Sequence, residues 1–446
     1  MMNAIRSSCV CIVIGMVWSA AFADKAVLIN DVYLFDGGST ERDDIRSNVL
    51  VVGNRIQSIS TSAIEVDAAY ELTVIDGAGK TLMPGLIDAH SHITLTLPTM
   101  MDAMAGDLSY VHAISTVVAE SMLMRGFTAV RDVGGASFGL RRAIEEGRVP
   151  GPRIVAAGAM ISQTGGHGDF RMRHEVPRSA NAPLAYSEQA GVSMIADGAD
   201  EVLRRAREQL MLGAHFLKLM AGGGVTSLYD PLDATQYTPA EFSAAVQAAE
   251  NWGTYVTVHA YTSRAVQMAI NSGVRVIEHG QLVDEETVRL MVEHDVWWSL
   301  QPFLDNELAN PQKGAARLKQ LQVAKGTDRA YELARAHGVK VAFGTDLLFT
   351  GTTGSTQTAR MVSLQRWYSA GEILQMATAH NGELLALSGP RYPYPGPVGV
   401  IEPEAMADLL LVDGDPTEDI ELLLDPEVNL ALIIKNGRIY KNTLNN

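Results

Sequence analysis

Short apolar segments alternate with longer amphipathic segments from residue 84 to residue 345. Eight apolar segments have the length and continuous hydrophobicity of buried parallel strands: 85–90, 127–132, 153–160, 215–220, 255–260, 275–279, 296–301 and 340–345. Helical periodicity lies between them at 109–125, 199–212, 239–251, 263–272, 284–294 and 327–337. The alternation predicts an α/β fold, a closed (β/α)8 TIM barrel. A doubly wound open sheet is the alternative, although no glycine-rich phosphate loop follows the first strand.

The two ends of the chain have a different pattern, with short strands and turns. Residues 48–52 and 55–59 flank Gly53-Asn54, which predicts a hairpin because these residues accept positive φ angles. Residues 408–412 and 430–440 are again strand-like. We therefore expect residues 24–83 and 393–446 to form one small β-sandwich beside a barrel at residues 84–392.

The first 23 residues have the pattern of an export signal. Arg6 precedes the apolar run 9–18, and Ala21-Phe22-Ala23 matches a cleavage site. The run is shorter than the roughly 20 residues that a membrane span needs. Cleavage would start the mature chain at Asp24 and remove both cysteines, which leaves no disulfide and no thiol ligand. We expect a periplasmic or secreted protein that has no membrane attachment after cleavage.

The composition of the chain excludes some classes of binding partner. The hydrophobic fraction of 47% supports a large core, and the net charge of −16 argues against nucleic acid or an anionic membrane as a partner. Residues 163–198 form a long irregular insertion after the third predicted strand, and helical segments 357–368 and 371–387 follow the eighth. Long irregular segments of compact domains are often functional.

Residues that bind metals follow five of the predicted strands. In a barrel, the carboxyl ends of the strands meet at one face, where barrel enzymes carry their active sites. The candidate ligands are His90, His92, Lys218, His259, His279 and Asp346. One histidine at a strand end is usually structural, but the coincidence of five strands predicts a metal site. Imidazole and carboxylate ligands favour zinc.

This ordered set resembles the amidohydrolase superfamily. The resemblance extends over Pro84–His92, Thr164–Gly168, Ala407–Val412 and Lys435–Arg438, and is strongest to an imidazolonepropionase-like group. That group contains metal-dependent Xaa-Pro dipeptidases, carboxypeptidases and bacterial ochratoxin A-hydrolysing amidohydrolases. One departure is Glu404, where the family usually has a glycine.

The resemblance implies two divalent metal ions and a carbamate on Lys218. A buried lysine has a lowered pKa, and the neutral amine can react with CO₂. His90, His92 and Asp346 would hold one metal, and His259 and His279 the other. A metal-activated water would attack an amide carbonyl, and Asp346 would act as general base and then acid.

Other residues are candidates for binding the substrate. By resemblance, His167 would contact the carbonyl oxygen or a substrate carboxylate, and Tyr261 would bind the α-carboxylate. Arg171, Arg173 and Arg178 could neutralise a carboxylate, although loop arginines are usually solvated. One of Trp297 and Trp298 could line the pocket, because successive strand residues face opposite sides. The remaining histidines are interpreted as structural: His112, His174, His215, His294, His337 and His380.

The leading hypothesis is an amide hydrolase acting on a small molecule with a free carboxylate. Its substrate would be a dipeptide or an N-acyl amino acid, such as ochratoxin A. A hydrolase of cyclic amides or lactones is the second hypothesis, and a non-catalytic binding module is the third. Relatives are often homo-oligomers, sometimes octamers, and the resemblance implies the same here.

Overall fold

The computed structural model describes residues 25–176 and 182–444. The predicted export signal at 1–23 and the side chain of Arg178 lie outside these residues. Within the described ranges, no helix is long and apolar enough to cross a bilayer.

Strands from both ends of the chain pair in one eight-stranded sheet. The strands are β1 (Lys25–Leu34), β2 (Ser47–Val52), β3 (Arg55–Ser60), β4 (Glu71–Asp76), β5 (Thr81–Pro84), β16 (Leu409–Val412), β17 (Leu430–Lys435) and β18 (Arg438–Asn442). Their order is β18-β17-β16-β5-β1-β2-β3, and β4 pairs with β1. The hairpin predicted around Gly53-Asn54 is confirmed, since Val52 pairs with Arg55 in antiparallel register. The sequence did not predict β4 and β5.

The middle of the chain is an α/β unit with parallel strands. These are β6 (Leu86–Ser91), β7 (Phe127–Asp132), β8 (Arg153–Ala156), β9 (Met160–Ser162), β10 (Ser193–Ile195), β11 (Leu217–Met220), β12 (Val256–Thr262), β13 (Val276–Leu282), β14 (Trp297–Leu300) and β15 (Val341–Phe343). One sheet has the order β10-β9-β11-β12-β13-β14-β15, and the other has the order β6-β7-β8. The α/β character predicted from the alternating segments is confirmed.

Helices connect most of the parallel strands, three more follow the last of them, and a short one lies between β16 and β17. In order they are α1 (Met100–Ala105), α2 (Leu108–Met124), α3 (Phe138–Glu145), α4 (Tyr186–Gln189), α5 (Ala199–Leu212), α6 (Pro239–Asn251), α7 (Ser263–Asn271), α8 (Glu285–Glu293), α9 (Gly314–His337), α10 (Gln357–Val362), α11 (Ala370–Gln375), α12 (Asn381–Ala386) and α13 (Pro426–Asn429). The helix predicted at 371–387 is divided, because a π-turn over Met376–His380 separates α11 from α12.

The third predicted strand, 153–160, is also divided. Gly158 has φ +76° between β8 and β9, a conformation that interrupts a strand. The backbone polar groups beside the break find other partners. His215 N donates to Ala156 O at 2.8 Å, and Ala159 N donates to Gln209 Oε1 at 2.9 Å. His215 lies two residues before the start of β11. The bond from His215 N to Ala156 O therefore links β8 to the seven-stranded sheet.

Side-chain hydrogen bonds join β6 to β15, the edge strands of the two parallel sheets. Asn381, at the start of α12, is fully buried and donates to Ile87 O at 2.7 Å and to Phe343 O at 2.8 Å. Its Oδ1 accepts from Phe343 N at 3.1 Å. Nearby, buried Asp88 accepts from Thr345 N and Oγ1 at 3.0 and 2.6 Å. These bonds hold the first and last strands of the α/β unit together.

We expect Asn381→Ala to lower the free energy of unfolding by about 2–4 kcal/mol, because Ile87 O and Phe343 N would lose buried partners. A denaturant titration measures this change. The matched control is Asn271→Ala, at an exposed helix end, where the expected change is within about 0.5 kcal/mol. Equal stability of the two variants would contradict the role assigned to Asn381.

Candidate metal centre

The six predicted ligands come together at the carboxyl ends of the parallel strands. His90 and His92 lie at the end of β6, Lys218 on β11, His259 on β12, His279 on β13 and Asp346 beyond β15. The five basic side chains are at most 3% exposed. The parallel strands therefore bring residues separated by up to 256 positions to one face.

His90, His279 and Asp346 form the tightest part of this set. One ligand atom from each lies within 4.8 Å of the other two, a spacing that suits a shared metal ion. Asp346 Oδ1 lies 3.2 Å from His90 Nε2 and 3.4 Å from His92 Nε2. The ring of His259 completes the group, with its centroid 4.4 Å from that of His279.

Three of the imidazoles are oriented by oxygen acceptors behind them. Nδ1 of His90 donates to Glu278 Oε2 at 2.7 Å, that of His92 to Gly134 O at 2.8 Å, and that of His279 to Gln301 Oε1 at 2.8 Å. Because these oxygens accept, Nδ1 carries the proton in a neutral ring and Nε2 keeps its lone pair. This is the arrangement of metal-binding histidines.

His90 Nε2 provides a direct test of whether a metal fits. It is buried and makes no hydrogen bond with any described residue, although Asp346 Oδ1 lies 3.2 Å away. A buried polar atom without a partner is costly unless another ligand satisfies it. A divalent cation at this point would be bound by the lone pair of His90 and the carboxylate of Asp346. The residues present therefore fit a metal.

A buried ion pair, which the sequence did not predict, supports the centre. Glu278 is fully buried and accepts from Arg131 Nη1 at 2.7 Å as well as from His90. Although burial alone would raise the pKa of Glu278, the charge of Arg131 and the hydrogen bond from His90 hold it well below its usual range. The available signal was the presence of Arg131 and Glu278 inside the apolar segments that form β7 and β13.

Unusual backbone angles aim two of the ligands. His279 has φ +76° and Asp346 has φ +51°, in the left-handed region that non-glycine residues rarely adopt. In a regular strand, neighbours face opposite sides. Here Glu278 and His279 are neighbours, yet both contact His90, at 2.7 Å and with rings 4.9 Å apart. The altered backbone lets both reach the site, and such strain is typical of functional positions.

Lys218 lies in the pocket with a buried side chain. No hydrogen bond or ion pair reaches its ammonium from the described ranges, although Glu278 and Asp346 act on it through space. Burial lowers the pKa of Lys218 to about 8 and outweighs these two carboxylates. A fraction of this lysine is therefore a neutral amine near neutral pH.

His167 and Tyr261 both lie beside the ligands. The ring of His167 stacks on His259 with centroids 3.9 Å apart, and Tyr261 stacks on His279 at 5.1 Å. Burial lowers the pKa of His167 to about 4, against the opposing charge of Asp230, so the ring is neutral near pH 7. The ring of His167 fits only because residue 224 is a glycine. A Cβ atom added at Gly224 would lie 1.9 Å from Cε1 of His167.

A largely apolar pocket opens above these residues. Its walls come from the insertion and from the loop after β14, which contributes a run of apolar and amide side chains. Apolar lining residues include Phe170, Met220, Phe303, Leu304 and Leu348. This lining suits a small molecule with an apolar body.

Two expectations about the surroundings were wrong. Arg171 is buried and pairs with Asp169 at 2.6 Å, so it is neither solvated nor part of the pocket lining. Arg173 is solvent-exposed, as loop arginines usually are, and lies outside the pocket lining. Neither Trp297 nor Trp298 lines the pocket. Trp298 Nε1 instead donates to His279 O at 2.5 Å and supports the turned backbone of that ligand.

Comparisons with known proteins agree with this geometry. The amidohydrolase family model matches residues 81–440. Ochratoxinase from Aspergillus niger is 29% identical over 412 residues, which cover 90% of this chain and 84% of that protein. A prolidase solved with N-methylphosphonate-L-proline is 32% identical with TM-score 0.83, covering 94% of this chain and all of that one. A Xaa-Pro dipeptidase with bound methionine is 29% identical with TM-score 0.77, with the same coverage of both chains.

We expect Gln301→Leu to weaken metal binding by about 10–100-fold, because His279 would lose the acceptor that orients its ring. A competition titration against a chromogenic chelator measures the affinity. Gln267→Leu removes a comparable hydrogen bond, to Thr287 on the helical layer, and serves as the control with unchanged affinity. Equal affinities in both variants would contradict the orienting role.

Proposed function

Because the chain belongs to the amidohydrolase family, we propose that it is an exported, binuclear metal hydrolase that cleaves an amide bond to a C-terminal amino acid. The observation that carries the proposal is the unpartnered, buried Nε2 of His90, which faces Asp346 at the base of an apolar pocket. Within the family, such a donor set supports hydrolysis of C–N bonds. The similarity to ochratoxinase and to prolidases favours amide and peptide substrates.

In this proposal, His90, His92 and Asp346 would hold one zinc ion, and His259 and His279 would hold the other. Lys218 would contribute to both as a carbamate, which forms when its neutral amine adds to CO₂ and loses a proton. The buried amine has no hydrogen-bond partner among the described residues, and burial lowers the pKa of Lys218 to about 8; both observations support this assignment. The same placement implies that β6–β9 and β11–β15 close into one barrel, next to a sandwich formed by the chain ends.

The bound ions would supply a water with a pKa lowered from ~16 to ~7 and would polarise the amide carbonyl. The chain's own residues do the rest. Asp346 accepts the proton of the attacking water and delivers it to the leaving nitrogen as the C–N bond breaks. Its carboxylate is ionised for this role, because the surrounding imidazoles, against the effect of burial, hold the pKa of Asp346 well below its usual range.

Neutral His167 donates a hydrogen bond to the carbonyl oxygen, where negative charge develops. Its Nδ1 is buried without a partner, and its ring lies against His259 on the pocket wall. Tyr261 donates its hydroxyl to the substrate's α-carboxylate. Tyr261 is buried, and its ring lines the pocket beside His279.

The pocket walls favour an apolar residue next to the scissile bond. Beyond the metal centre, its charged lining residue Arg360 is engaged by carbonyls, with Nη1 bonded to Thr345 O and Nη2 to Leu308 O. A positively charged substrate side chain would lose hydration beside the cation of Arg360 without gaining an ion pair. N-acyl phenylalanine compounds, such as ochratoxin A, and dipeptides with apolar residues fit these walls.

We expect release of free amino acid from N-acyl phenylalanine and apolar dipeptides, and loss of this activity with a chelator. Lys218→Ala should lower both the metal content and kcat/KM, the latter about a hundredfold or more, because a ligand of both ions is lost. Metal analysis and amino-acid release measure the two effects. Lys340→Ala, at an exposed lysine, is the control. Activity that persists in chelator would rule out the mechanism, and ring-opened acids as the sole products would favour a cyclic-amide or lactone hydrolase.

Tyr261→Phe should raise KM about 10–100-fold for substrates with a free carboxylate and change kcat little, because a hydrogen bond to a charged group is lost. The same substitution should leave KM unchanged for the methyl esters of these substrates. Steady-state kinetics on each acid–ester pair measures the difference, with Tyr110→Phe at an exposed tyrosine as the control. An equal rise for acid and ester would show that Tyr261 contributes only to packing.

A further inference from the structure

A second pocket, of about 1000 Å³, lies at the opposite end of the parallel strands from the metal centre. Arg153, the first residue of β8, lines it, and the β17–β18 hairpin lines another side through Lys435, Asn436 and Arg438. The turn at Pro393–Pro395 contributes a third side. The pocket therefore lies where the α/β unit meets the sheet formed by the chain ends.

The lining of this pocket is cationic, although the chain as a whole has a net charge of −16. Four basic side chains line it, against one carboxylate from Glu145; the basic residues are Arg141, Arg153, Lys435 and Arg438. A local excess of positive charge in an acidic protein points to an anionic ligand.

The charge of Arg153 is already neutralised. Its Nε and Nη2 donate to the two oxygens of Asp408 at 2.6 and 3.0 Å, and Nη2 also donates to Asn436 Oδ1 at 2.8 Å. Asp408 further accepts from Asn436 N at 2.7 Å. Both oxygens of this carboxylate are thus engaged by Arg153 and the hairpin, and neither is hydrogen-bonded to the ammonium of Lys435.

Lys435 is the group left without a partner. Its side chain is buried, with the residue only 4% exposed, and no acceptor within the described ranges is hydrogen-bonded to its ammonium. The ammonium lines the pocket, where a largely desolvated cation without a paired anion is unfavourable. Burial lowers the pKa of Lys435 to about 8, although the negative charge of Asp408 acts in the opposite direction and raises it. An anion in the pocket would restore a full charge on this lysine.

We propose that this pocket binds a small oxyanion, a phosphate or a carboxylate, held by Lys435 and, at the exposed rim, by Arg438. Apolar and aromatic walls from Ile144, Tyr394 and Tyr440 leave room for an organic body on the anion. The inference does not rest on the proposed hydrolase activity, because the two pockets share no lining residue.

Isothermal titration of the full-length protein with inorganic phosphate, and separately with benzoate, tests the proposal. We expect saturable binding of at least one anion, weakened about tenfold or more by Lys435→Met, because one charge-assisted hydrogen bond is lost. Tighter binding of benzoate than of phosphate would identify an organic carboxylate as the ligand, and the reverse would identify a phosphate. Lys340→Met removes the same charge at an exposed site and should bind as the wild type does.

Arg438→Gln provides a second variant, at an exposed position where folding is not at risk. We expect it to weaken binding by about threefold, consistent with a partly screened charge. The proposal is wrong if neither anion binds the wild-type protein, or if binding in the Lys435→Met and Arg438→Gln variants equals that of the wild type.

Discussion

The buried carboxylate of Glu278 is the constraint on which the candidate centre depends. It joins three strands, because it accepts from Arg131 on β7, from His90 on β6 and from Thr257 on β12. An ionised group at this depth is tolerated only when it is paired and hydrogen-bonded, so the partners must remain in place. The same bonds that stabilise the carboxylate thereby orient His90 and leave its Nε2 facing Asp346.

Local strain complements this network. Regular strands would present alternate residues to the site, yet the consecutive residues Glu278 and His279 both contact His90. The left-handed φ angles of His279 and Asp346 allow this, and contacts from Trp298 and from His90 O hold the two turns. The surrounding structure must therefore be rigid enough to hold these two residues in an unfavourable backbone conformation. Strained conformations of this kind are common at functional sites.

The two ends of the parallel strands have different electrostatic character. At the carboxyl ends, imidazoles, a lysine and a carboxylate converge beneath an apolar pocket. Near the amino ends, Arg153 from β8 and Lys435 from the β17–β18 hairpin line a second pocket. Asp408, which directly precedes β16, pairs with Arg153 and not with Lys435. The two ends of the strands therefore carry chemically distinct pockets at separate locations.

The amino-acid sequence by itself predicted the element types and the six candidate ligands. Continuous apolar segments predicted the parallel strands, and polar residues in or at the ends of five of those segments were the candidate ligands. Both patterns are local, because the hydrophobicity of a segment and the alternation of its side chains are properties of residues adjacent in the chain. Only the tertiary structure decided the break at Gly158, the bridge made by Asn381, the Glu278–Arg131 pair and the burial of Arg171 and both tryptophans. Each of these depends on contacts between residues far apart in the sequence, and local periodicity carries no information about which distant polar groups will meet.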